Sequence, residues 1–150
     1  MNPDSRLAEL GLELPEIPQL PFVPRLVPVL EHGGLLHLSG IGPVGRSGRV
    51  GGELTLEEGY EAARETALLA LRRLVDHLGT LDAVTRWVRV LGFVRSAPGF
   101  GDQPSVLNGF TETIVALYGE ERGLCARSAI GVSELPAGIP VEVEATVALR

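Results

Sequence analysis

The chain has 150 residues, 45% of them apolar and 21% charged, which fits one ordinary domain with its own core and excludes an intrinsically disordered polypeptide. All 13 basic residues are arginine, and the lack of lysine excludes Schiff-base catalysis and a Walker-type phosphate loop. The 19 acidic residues leave a net charge of −6, which disfavours long-range attraction to nucleic-acid backbones.

Residues 1–24 carry Pro15, Pro18, Pro21 and Pro24, a spacing that predicts an extended arm laid over the domain. A single folded domain is then expected over residues 25–150. Residues 26–30 and 35–41 are short apolar runs separated by Glu31-His32-Gly33-Gly34, the pattern of a β-hairpin. The glycine-rich stretch 45–52 reads as a connector without a role of its own. Thr55-Leu56-Glu57-Glu58 is a capping box, in which the threonine hydroxyl satisfies a free helical N–H and the glutamate returns the bond. Leu56, Tyr60, Ala63, Ala67, Leu71, Leu74 and Leu78 then recur at three- and four-residue intervals up to Gly79, predicting an amphipathic helix.

Residues 83–96 switch to β-branched and aromatic types. Strict alternation places Val88, Val90 and Val94 on one face and Trp87, Leu91 and Phe93 on the other, so the strand is apolar on both sides. The same alternation separates Arg86 from Arg89 and Arg95, breaking up what would otherwise be a basic stripe for RNA. Past Pro98-Gly99, a second helix starts near Gln103-Pro104, buries Leu107, Phe110, Ile114 and Leu117, and ends at Gly119. Two strands over 124–132 and 139–149 close the chain. The expected fold is α+β, a sheet with both helices on one face. Its other face needs a cover, for which a second subunit is the simplest candidate.

In the strand around Arg127, Cys125, Ala129 and Gly131 share the arginine's face. If the last two strands form a regular hairpin, Arg127 falls opposite Glu142 or Glu144 on one side of the sheet. Two readings follow. One is a cross-strand salt bridge. The other is an anion site, in which the guanidinium fork holds a substrate carboxylate while a glutamate positions or deprotonates a water. Cys125 is the only cysteine, so no disulfide or cysteine cluster forms, and His32, His37 and His77 lack ligand spacing, so no metal is expected. No segment approaches a bilayer span and the N-terminus is acidic, which leads to the expectation of a cytoplasmic protein without membrane contact.

Ser39-Gly40 with Pro43, the helix over 57–78, Leu91-Gly92-Phe93-Val94, Asn108, Ala126-Arg127-Ser128-Ala129, and Leu135-Pro136 before Val141-Glu142-Val143-Glu144-Ala145 occur in the order of the Rid family. This YjgF-type, reactive intermediate deaminase family is resembled over residues 26–149. Leu91 to Ser96, Gln103-Pro104 and Asn108-Gly109 resemble a divergent subgroup described as endoribonuclease L-PSP-like or translation-inhibitor-like. The resemblance implies a chorismate-mutase-like fold with a mixed sheet, a homotrimer, and clefts between subunits. It further implies hydrolysis of 2-imino or enamino acids to 2-oxo acids and ammonia without metal or organic cofactor. By matching position Arg127 would bind the carboxylate, Glu142 would orient water, and Ser39, Asn108 and the backbone at Ala129 would shape the pocket. Two positions depart from the family: Leu26 stands where active deaminases carry a tyrosine, and Ala129 where they carry a cysteine. A module that binds 2-oxo acids without turnover is therefore the principal alternative. Ribonuclease activity is disfavoured by the acidic composition and by the lack of a histidine pair for acid–base cleavage.

Overall fold

Local chemistry sets most element ends in the computed structural model, which describes residues 1–150. The first element is a short helix, α1 (Pro3–Glu9), where the sequence predicts extended chain. Asn2 caps it by accepting from the Ser5 N–H at 3.0 Å, and Pro3 occupies the first turn, where its missing N–H costs nothing. The prolines that favour extension begin only at Pro15. Asp4 fastens α1 to the domain by accepting from the Thr80 hydroxyl (2.6 Å) and from the N–H groups of Leu81 (3.0 Å) and Asp82 (3.2 Å). Burial raises the Asp4 pKa, but these hydrogen bonds outweigh it and leave the carboxyl below its ordinary value.

Strands β1 (Val29–His32) and β2 (Leu35–Ile41) form the expected hairpin, turning through Gly33 and Gly34 at φ 61° and 78°. Helix α2 (Leu56–Leu78) begins where Thr55 Oγ1 accepts from the Glu58 N–H at 3.1 Å and ends at Gly79, which adopts φ 78°. Strand β3 (Val84–Arg95) leads into α3 (Gln103–Gly123). The helix end predicted at Gly119 is instead a kink, with φ 74° and ψ 168°, after which α3 continues to Gly123. Strands β4 (Ala126–Val132) and β5 (Val141–Leu149) follow.

The sheet order is β1-β2-β5-β3-β4. Strand β4 lies parallel to β3, because the α3 crossover returns the chain in the same direction, and β5 inserts antiparallel between β2 and β3. The expected β4–β5 hairpin therefore does not exist. The sheet is mixed and five-stranded with α2 and α3 on one face, which confirms the α+β class and the chorismate-mutase-like arrangement.

The faces of β3 also differ from strict alternation. Trp87 pairs with Val147 but Arg89 with Thr146, so Val88 is an extra residue in a β-bulge. The bulge flips the first half of the strand. Trp87 joins Val90 and Val94 against the helices, Val88 is exposed, and Arg86 moves to the same open face as Arg89 and Arg95. Inside, Trp87 meets Phe110 and Tyr118 edge-on at ring-centroid distances of 5.7 and 6.1 Å. Two glycines permit the close approach of α3: a Cβ on Gly92 would lie 2.3 Å from Leu107 Cδ1, and one on Gly109 would lie 2.1 Å from the Tyr60 carbonyl oxygen. These contacts fix the helix carrying Asn108 over the strand edge carrying Arg127.

Candidate anion site on the β4 edge

Arg127 pairs in register with Val90, whose side chain is buried against the helices, so the guanidinium lies on the helix side of β4. There Nη1 donates to Asn108 Oδ1 and Thr111 Oγ1, both at 3.0 Å, and Nη2 donates to the Pro104 carbonyl oxygen at 3.4 Å. Every partner is neutral. The salt bridges in the molecule join Arg6, Arg46, Arg49, Arg72, Arg95, Arg122 and Arg150 to carboxylates, but none joins Arg127. The cross-strand salt bridge is thus ruled out within the chain. A charge held in place by α3 keeps its Nε–H and part of Nη2 for an anion. Thr111 went unnoticed in the sequence, although its place three residues beyond Asn108 puts both on one side of a helix.

The backbone beside Arg127 is also open. The Ser96 N–H donates to the Val132 carbonyl at 3.0 Å, so the peptide groups of Val132 point to β3. By alternation those of Arg127, Ala129 and Gly131 point away from the sheet, and β4 has no neighbour on that side. The Ala129 N–H therefore stands unpaired on the edge two residues from the arginine. Cys125, just before the strand, is half-buried, and burial pushes its thiol pKa up despite nearby Arg127.

Glu142 is not part of this cluster. It pairs with Phe93, and Glu144 with Leu91, on the open face of the sheet, whereas Arg127 lies on the helix face. The expected convergence fails because β3 separates β4 from β5 and the residue parity differs. Glu142 packs against Gly40, where an added Cβ would approach its Oε2 to 2.9 Å. Burial first, and then the charge of Glu144, raises the Glu142 pKa above the ordinary glutamate value. Ser39 is close in sequence to Gly40, but its hydroxyl donates to the Val27 carbonyl at 2.6 Å. Of the sequence-predicted residues, Arg127, Asn108 and Ala129 come together, while Glu142, against Gly40, and Ser39, bonded to Val27, lie away from them on β5 and β2.

Two concavities flank these clusters. A small one of about 160 Å³ on the open face is lined by His37, Arg89, Leu91, Glu144 and Thr146 together with Leu38 and Ala145. There His37 Nδ1 and Thr146 Oγ1 lie 3.1 Å apart. An open depression of about 800 Å³ lies between the β4 edge and the start of α3. The open-face arginines do not form a free basic stripe: Arg95 is bound by Glu134 at 2.9 Å, and Glu142 and Glu144 share the surface. No helix is long and apolar enough to cross a membrane.

Comparison with known proteins supplies the family. The model for endoribonuclease L-PSP matches residues 19–149. Protein TCP17 of Trypanosoma cruzi is 40% identical over 153 residues, covering 97% of this chain and 93% of that protein. The crystal structure of Atu1372 from Agrobacterium tumefaciens, a protein of unknown function, superposes with a TM-score of 0.87 at 32% identity, covering 99% of this chain and 94% of that one. A Shewanella oneidensis structure described as an endoribonuclease gives 0.91 at 26% identity, covering 99% and 100%. With the match spanning nearly the whole chain and the fold in agreement, the protein belongs to the endoribonuclease L-PSP (YjgF) family.

Proposed function

We propose that the protein is a hydrolytic deaminase that converts reactive 2-imino and enamino acids to 2-oxo acids and ammonia, acting as a homotrimer with its sites between subunits. The observation that carries this reading is Arg127, a cation oriented by three neutral oxygens and left without a carboxylate. Bound side-on, a substrate carboxylate takes two charge-assisted hydrogen bonds from Nε and Nη2, and the free Ala129 N–H faces the adjacent substrate atoms. Water then adds to C2 of the iminium, giving a carbinolamine. Proton transfer from its hydroxyl to nitrogen expels ammonia and leaves the 2-oxo acid. Glu142 is the group suited to take the proton from water, since half-burial brings its pKa closer to neutrality. Because Glu142 and Arg127 occupy opposite faces of one sheet, the Glu142 cluster that completes a site comes from a neighbouring copy. A second copy also covers the half-buried Leu91 and Phe93 and the exposed Ile130.

The test generates an imino acid in situ with an amino-acid oxidase and follows 2-oxo acid release. Acceleration over the spontaneous rate is expected. Binding of 2-oxo acids without acceleration would leave the carboxylate-binding module, the reading that Ala129 and Leu26 favour by departing from the family's polar residues.

A further inference from the structure

A second constellation lies on the open face of the sheet, opposite the face that carries Arg127. The register of β2, β5 and β3 puts His37, Thr146 and Arg89 in one transverse row, because Thr146 pairs with both His37 and Arg89. Glu144 lies two residues from Thr146 along β5 and on the same face. All four line the concavity of about 160 Å³. Leu38 and Ala145 are buried on the helix side, so they floor it with main chain. A bulge in β2 opens the space next to Glu144. Leu38 pairs with Ala145 but Ile41 with Val143, so Ser39 and Gly40 together oppose Glu144. Neither sends a side chain over it: Gly40 has none, and the Ser39 hydroxyl turns to the Val27 carbonyl.

The charges in the concavity do not satisfy each other. Arg89 and Glu144 are diagonal neighbours across an antiparallel pair, close enough for long side chains to meet. The guanidinium instead leans toward β4, where Nη2 donates to Ser128 Oγ at a long 3.4 Å. None of the molecule's salt bridges includes Arg89 or Glu144. His37 Nδ1 is taken by Thr146 Oγ1, which leaves Nε2 for a further hydrogen bond.

A guanidinium and a carboxylate thus border one small space without closing it. A simple anion there is repelled by Glu144 and a simple cation by Arg89, whereas a ligand that carries both charges is attracted by each. At ~30 Å³ per water the concavity has room for about five waters, the bulk of an amino acid with a short side chain. We propose that it is a binding site for small free α-amino acids, with the carboxylate on Arg89, the ammonium on Glu144 and the side chain against the half-buried Leu91. The apolar patch assigned to a second copy runs from Leu91 through Phe93 to Ile130, away from His37, so the site opens beside that contact. It is separate from the Arg127 site and does not depend on the deaminase reading.

The test follows amide chemical shifts of the intact, isotope-labelled protein during titration at neutral pH with L-alanine, propionate and ethylamine. The last two are alanine without its ammonium and without its carboxylate. L-Alanine should saturably shift the amides of His37, Arg89, Glu144 and Thr146, and each single-charge analogue should bind there roughly tenfold more weakly or worse, having lost one charge-assisted contact. Arg89→Gln and Glu144→Gln should each weaken alanine to a similar extent, while Glu144→Asp, which keeps the charge, retains most of the binding and Arg127→Ala leaves it unchanged. Both glutamine variants replace exposed side chains, and their melting temperatures check that they fold. Three results would overturn the proposal: no saturable shift at these residues, propionate matching alanine, or alanine shifts that gather around Arg127 and vanish in Arg127→Ala. Each of them leaves the hydrolysis of imino acids to be decided by its own assay.

Discussion

Truncating Arg127 should damage binding far more than folding, and the structure sets the size of both effects. In Arg127→Ala the ligand loses two charge-assisted hydrogen bonds. Each is worth roughly 1.5–3 kcal/mol when well shielded. The side chain is only partly buried, so solvent screens part of this, and a loss of about 2 kcal/mol, or ~30-fold in Kd, is expected. The fold loses less. Asn108 is exposed and Thr111 half-exposed, so water can replace the guanidinium at both oxygens, and the stability cost should stay below about 1 kcal/mol. The assay pairs calorimetry with 2-oxobutyrate against denaturant unfolding followed by the fluorescence of the single, buried Trp87. An unchanged Kd, or a stability loss matching the binding loss, would show that Arg127 serves the structure and not a ligand.

Glu142 offers a prediction whose sign follows from its raised pKa. A carboxyl whose folded pKa lies above its unfolded value costs no stability when protonated in both states, and the penalty grows as pH rises through the folded pKa. Glu142→Gln should therefore raise the melting temperature at pH 7, with the gain vanishing below about pH 4. An equal gain at all pH values would point to packing instead. If Glu142 is the base, the rate should rise with pH along a limb whose midpoint lies above the ordinary glutamate value, and Glu142→Gln should abolish that limb. Gly109→Ala should destabilise the fold by about 1–3 kcal/mol, because its methyl would meet the Tyr60 carbonyl at 2.1 Å and push α3 from α2. Light scattering should give three times the chain mass, and a monomer at working concentration would remove the inter-subunit site.

Elements whose signals are local were legible in the sequence. Thr55 and Gly79 bound α2 because a cap and a left-handed glycine act within one turn, and Gly33-Gly34 sets the β1–β2 hairpin for the same reason. Helix α1 carried its Asn2-Pro3 start signal, yet seven residues are too few to hold a helix alone. The Asp4 bonds to residues 80–82, far along the chain, decide its fate. Strand pairing is equally non-local. Nothing near Ser133 to Gly138 announces that the chain leaving β4 will cross β3 so that β5 enters the sheet between β3 and β2, and the bulge at Val88 reverses Trp87 and Arg86 without a glycine to mark it. Of the candidate site residues, Arg127, Asn108 and Ala129 lie together because they sit on one strand edge and the helix over it. The Arg127–Glu142 convergence depended on the hairpin and fell with it.

The most direct test of the deaminase account compares turnover and product binding in wild type and Glu142→Gln. Imino acid generated in situ should be hydrolysed faster by wild type than by buffer. The variant should bind 2-oxobutyrate with a Kd within about twofold of wild type while its turnover falls by roughly 10²-fold, the scale expected for losing a general base. A variant as fast as wild type would deny Glu142 its role, and a wild type no faster than buffer with several imino acids would contradict the deaminase assignment outright.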